Sequence, residues 1–254
     1  MSSKDRLIEL AQESDDAFIA RCTEIAYALP PLLQAEAARI LKEVKPKRAP
    51  AFSKLVFIPI RHRPSDFVGT DPPLRHEIHT ILESNLRSGD LVALAEACSR
   101  PLNPNEEAKV RESLRAKLGK FGVGLPDLPV TPWERAIFDI QKVLPIVAAG
   151  VDSTAGILFA TVLEMQPDLI QGDADKATRN ELLWRLGSEA RTRFALSRTC
   201  SMGKAEQNVI FIQGAAHLKG VEAWSRRNSV ELQTVVPPSI RKDFEEYWEG
   251  HATA

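Results

Sequence analysis

Cysteine is scarce in this chain of 254 residues, and its three thiols, Cys22, Cys98 and Cys200, are odd in number and far apart. That excludes a disulfide framework and a CxxC metal site, and buried structural thiols are expected instead. Net charge is nearly absent: 33 Lys and Arg against 34 Asp and Glu leave a formal −1, so no global field draws the chain to nucleic acid or an anionic membrane. Long apolar runs are missing too. No stretch reaches about 18 consecutive apolar residues, and the charged start MSSKDRLIEL has no signal-like core, so a cytoplasmic protein without membrane spans is expected. The chain carries no GxxxxGK[ST], GxGxxG or GxSxG, so a P-loop, a dinucleotide fingerprint and a serine-hydrolase elbow are not indicated. No fixed-period repeat or low-complexity tract is present.

What is there is a helix-rich chain punctuated by a few strand-like runs. Apolar spacing predicts one helix over residues 4–28 and a second over 32–44, a helical hairpin joined by the linker KPKRAP to the rest. KLVFIPI at 54–60 reads as the first strand, and LRHEIHTILESNL after it as an amphipathic helix. DLVALAEA at 90–97 fits a buried strand or a continuing helix, since leucine and alanine favour the helix while Gly89 permits a break. A charged helix capped near Asn103–Asn105 follows, then TPWERAIFDIQKVL, with Thr131 as cap and Pro132 in the first turn. GVDSTAGILFATVLEM and TRNELLWRLGSEARTRFAL complete a helical middle, and strand is expected again only at 209–212, before a helix at 218–227 and a strand at 230–236. That strand–helix–strand order is a βαβ unit. The fold class expected is α/β: a small, mainly parallel central sheet with a large helical complement and the N-terminal helical hairpin. Residues 1–50 form an extension and 51–254 the α/β domain.

In a parallel sheet, ligands gather beyond the C-terminal strand ends. His62 and His217 each follow a strand at once, in FIPIRH and FIQGAAH, and two such imidazoles can ligate one metal. Gly214 allows a tight exit or a positive φ, and Ala215 and Ala216 let the backbone crowd toward whatever His217 contacts. A lone strand-end histidine is more often a satisfied polar group, so it is the pair that carries the reading. His76 and His79, spaced i,i+3, read as solvated, and the four tryptophans, Trp133, Trp184, Trp224 and Trp248, as packing residues. The basic patches KPKR and RHR in a neutral chain read as solvated loops, which makes nucleic acid the less favoured partner.

The order of these motifs resembles the TraB/TIKI family, also called TraB/GumN, whose fold is related to the haem-binding ChaN proteins and the erythromycin esterases. The resemblance rests on Gly214-Ala215-Ala216-His217-Leu218-Lys219-Gly220, which matches the family's late GxxH motif continuing as GAxHLxG. It rests also on the Arg179-Asn180 pair in TRNELLWRL and on the order of strands and helices over residues 55–236. The early motif keeps His62 but has Pro59 where the family has glycine. The resemblance implies a metal-dependent hydrolase, peptidase-like, acting on an amide or ester. Mn, Co or Zn would be held by His62, Glu96 and His217, Glu96 serving as ligand or general base. Arg179 would stabilise an oxyanion or a substrate carboxylate, with Asn180 orienting it. Glu83 is the alternative to Glu96. The substrate would be a peptide or small molecule, and a homo-oligomer is compatible with the sequence. The competing expectation is a non-catalytic interaction module that keeps the fold and binds a protein partner through its helical N-terminus.

Overall fold

The structure, a computed structural model, describes residues 3–27, 29, 31–45, 48–61, 73–122, 130–165 and 183–248. Helices α1 (Ser3–Gln12), α2 (Asp15–Ala26) and α3 (Pro31–Glu43) precede strand β1 (Lys54–Ile60) and helix α4 (Pro73–Asn85). Then come β2 (Leu91–Cys98), the two-residue β3 (Arg100–Pro101), α5 (Glu107–Gly119), α6 (Pro132–Val143), β4 (Val147–Asp152) and α7 (Thr154–Met165). A π-helical segment (Leu183–Glu189) runs into α8 (Ala190–Met202). After β5 (Val209–Gly214) and a 3₁₀ turn (Ala215–His217) come α9 (Leu218–Asn228), β6 (Glu231–Thr234) and α10 (Pro238–Trp248). The α/β class is as expected.

The strands form one sheet in the order β3-β4-β2-β5-β1-β6, parallel throughout except for β3 against β4. Because side chains alternate across a strand, β5 serves two cores at once: Val209 and Phe211 face one layer, Ile210 and Ile212 the other. On the second face Ile58, Leu94 and Ile212 meet Ile78 of α4 and Trp133 and Ile137 of α6. On the first, Phe57, Ala93 and Phe211 meet Leu196 of α8 and Val221 and Trp224 of α9. A third cluster joins Leu10, Phe18, Leu33 and Ile40 of the N-terminal helices to Leu158 and Phe159 of α7 and Leu186 of the π-helical segment. The first three helices thus share a core with the sheet-covering layer.

Two local readings are corrected and one that was open is settled. The helix expected over 4–28 is two helices, because Ser14 starts a new one: its hydroxyl accepts the Ala17 N–H, as serine at a helix start does well. Residues 90–97, open between helix and strand, form β2. The helical middle expected at 150–165 begins instead as strand β4, so strand returns well before 209. Alanine and glycine favour no strand on their own, but here they let β4 press close to β2: a Cβ on Gly150 would stand 2.2 Å from the Cys98 carbonyl oxygen. Thr131 forms the full capping box with Glu134, as its sequence indicates.

Pro59 lies within β1 without costing a ladder bond. Phe57 turns its polar groups toward β6, accepting from Val235 N–H at 2.9 Å, and Pro59, two residues on, faces the same side after β6 has ended its pairing at Phe57. Among the described residues no helix is long and apolar enough to cross a membrane.

Candidate functional site

The C-terminal ends of β2, β4 and β5 bring together four polar side chains. Glu96 stands near the end of β2, Asp152 closes β4, His217 ends the 3₁₀ turn after β5, and Arg191 reaches in from the first turn of α8. Gly214 is where they meet. Its N–H donates to Glu96 Oε1 at 2.9 Å, and a Cβ built on it would stand 3.4 Å from both that oxygen and His217 Cδ2, and 3.8 Å from His217 Nε2. Of the two uses open to Gly214, a tight exit or a positive φ, the second is not taken: its φ is −52°, a 3₁₀ turn follows at once, and it allows the close approach of backbone to carboxylate and imidazole.

His217 is oriented from behind. Its Nδ1 lies 2.6 Å from Thr192 Oγ1, and that hydroxyl donates its one proton to the Ser188 carbonyl at 3.0 Å. Thr192 thus holds the ring at Nδ1, and Nε2 is the nitrogen on the Gly214 side. Gly220, one turn into α9, lets α9 lie against α8 at this point, since a Cβ there would come within 2.6 Å of Glu189 Oε2 and 3.1 Å of Thr192 Cγ2. Ala215 and Ala216 turn the other way, onto a cavity of about 180 Å³ shared with Arg61 and with Asp243 and Tyr247 of α10. Arg61 and Asp243 form an ion pair across it, and Trp248 donates its indole N–H to the Ala215 carbonyl at 3.1 Å.

Arg191 organises the acidic side. Its Nε donates to Asp152 Oδ2 at 2.9 Å, its Nη2 bridges to Asp152 at short range and to Glu96 Oε2 at 3.4 Å. Asp152 is fully buried and also accepts the Ser153 N–H at 2.7 Å. Burial pushes its carboxyl up to about 6, against the pull of Arg191. Burial pulls the Arg191 guanidinium down, yet Asp152 and Glu96 more than offset that and hold it above its ordinary range. Gly156 leaves room for the arginine stem, 2.9 Å from where a Cβ would be. Gln213, one residue before Gly214, is fully buried, and its side-chain amide has no hydrogen-bond partner among the described residues.

Of the residues singled out in the sequence, Glu96, Gly214 and His217 converge, and Ala215, Ala216 and Gly220 shape their surroundings. His62, Arg179 and Asn180 lie outside the described residues. His76 and His79 sit on α4, exposed and half-buried. Glu83, exposed on α4, is not part of this cluster. Sequence reasoning missed Asp152, Arg191 and Thr192; an acidic residue ending a short Val/Ala run just before a Ser-Thr helix start was the one available signal. Among the described residues no group of three His, Cys, Asp or Glu side chains is arranged to hold a metal, and Glu96 and His217 each come close to Gly214. Imidazole and carboxylate are both ligand types that suit a divalent ion in chemical terms. No family model, curated protein or solved structure matches this chain.

Proposed function

We propose that this strand-end cluster is the reaction centre of a metal-dependent hydrolase of TraB/TIKI type, acting on an amide or ester bond in a peptide or small molecule. The observation that carries the reading is the convergence of Glu96 and His217 on Gly214. Glu96 and His217 would hold Mn, Co or Zn, with His62 the third donor that the resemblance implies. When bound, such an ion polarises a carbonyl and lowers the pKa of a coordinated water toward ~7. The chain's own groups prepare that chemistry. Thr192 holds His217 at Nδ1, so that Nε2 is the nitrogen left toward Gly214. Gly214 N–H and Arg191 hold the Glu96 carboxylate from two sides and fix its position for ligation or for taking a proton from water. Arg191, which Asp152 anchors, takes within this cluster the cationic part that the resemblance gives to Arg179. Three buried, unpaired thiols suit a reducing, cytoplasmic setting.

The test is turnover of a panel of peptides and aryl esters with Mn, Co, Zn or EDTA added. Hydrolysis should require one of the metals and fall at least about 100-fold in Glu96→Gln and His217→Ala, both remaining folded by circular dichroism. Hydrolysis that ignores both substitutions would place the chemistry elsewhere.

A further inference from the structure

Ser153, next to Asp152, also lines a cleft of about 780 Å³ between α3, α5, α7 and α8, within the size range of small-molecule sites. Its walls carry five cations: Arg39 and Lys42 from α3, Lys117 and Lys120 at the end of α5, and Arg198 from α8. Only two carboxylates, Glu36 and Glu43, oppose them there, in a chain whose overall formal charge is −1. The positive charge is therefore local, and part of it is unspent. Arg39 pairs with Glu36 at 3.0 Å and Arg198 donates to Ser99 Oγ at 2.9 Å, but Lys42, Lys117 and Lys120 have neither ion pair nor hydrogen bond among the described residues. Beneath the charged rim the surface is apolar: Ala155, Leu158 and Phe194 are buried and Phe121 is half-buried.

We propose that this cleft binds an amphipathic organic anion, its phosphate or carboxylate among Lys42, Lys117 and Lys120 and its apolar body on Phe121, Leu158 and Phe194. Each half of that ligand answers one half of the lining. Cations alone would suit any polyanion, yet the concave shape, the apolar floor and the two interspersed carboxylates disfavour an extended nucleic-acid backbone, which needs a continuous basic track. The free amines are point charges on flexible stems, suited to a compact anionic group without demanding one planar geometry. Binding here does not depend on hydrolysis at Glu96 and His217.

The experiment titrates the full chain with naphthyl phosphate and, separately, with naphthoate, reading probe fluorescence, with inorganic phosphate as competitor. Saturable binding should appear for at least one probe, weaken with added salt, and loosen about tenfold or more in the double variant Lys117→Glu, Lys120→Glu. Both lysines are exposed at a helix end, so the double variant should keep its fold, and Lys42→Glu gives an independent arm from α3. Tighter binding of the phosphate or of the carboxylate probe identifies the anionic group, and His217→Ala should leave either affinity unchanged. No saturable binding of either probe, or affinity unaltered by the lysine substitutions, overturns the proposal.

Discussion

Arg191 and Arg193 sit two residues apart on α8 and therefore leave the helix in nearly opposite directions. Both meet buried carboxylates, but they are used differently. Arg193 is closed in: its Nε donates to Glu189 at 2.8 Å, its Nη1 to Asp15 at 2.7 Å, its Nη2 to the carbonyls of Leu10 and Glu13 at 2.8 and 2.9 Å, and the Phe18 ring covers it at 4.3 Å. Every nitrogen is occupied by protein, and the result is a lock that fastens α1 and α2 to the layer covering the sheet. Arg191 instead turns Nε and Nη2 to Asp152 and Glu96 at the strand ends, where Gly214 and His217 also arrive. The same side chain closes a structure in one place and holds a carboxylate ready in the other.

The largest effect should come from the lock. Arg193→Met strands the fully buried Glu189 without its cation, at a cost of about 5 kcal/mol, read from urea unfolding. Whatever folded fraction remains should keep its strand-end chemistry. Arg191→Met should cost somewhat less, about 4 kcal/mol, since its side chain is 16% exposed, but it should abolish hydrolysis as well. If the two variants affected stability and activity alike, the contrast between lock and clamp would fail.

A pH series sharpens the clamp side. Asp152 holds its proton more tightly in the folded chain, at about 6, than an ordinary aspartate at 3.8. Its contribution to stability is therefore fully present below about pH 4 and is lost as pH rises through 6, amounting to no more than about 3 kcal/mol. Asp152→Asn should flatten that part of the stability–pH curve, and a slope that survives the substitution would contradict the assignment. Gly220→Ala tests the ground between the arginines, because its Cβ would press on Glu189, the partner of Arg193, and on Thr192, the support of His217. About 2 kcal/mol should be lost in thermal unfolding, together with part of the activity. The smallest change in stability, about 1 kcal/mol, is expected for Thr192→Val. Its diagnostic sign is nitrogen NMR of the imidazole, where the Nδ1 resonance should move once its Thr192 partner is gone.

The strands that carry their own signal were legible. In β1 and β5, apolar runs rich in Val, Ile and Phe end abruptly, so Gly214 and His217 could be located at a sheet end from the sequence. Glu96 was legible only through its place in the motif order, since DLVALAEA satisfies helix and strand patterns equally. β4 was not legible, because Ala148, Ala149 and Gly150 are chosen for close approach to β2 rather than for strand propensity. Arg191 was hidden for another reason. It meets Asp152 and Glu96 across 39 and 95 residues of chain, a relation that only the completed sheet creates and that no local spacing encodes.

The most direct test of the strand-end reading is metal content of the purified chain and its His217→Ala variant, with thermal stability recorded as Mn, Co or Zn is added. About one divalent ion per chain should accompany the wild type or raise its unfolding temperature on addition, and neither effect should be seen in the folded variant. A wild-type chain that carries no metal and whose stability is unmoved by all three ions would contradict the proposed centre.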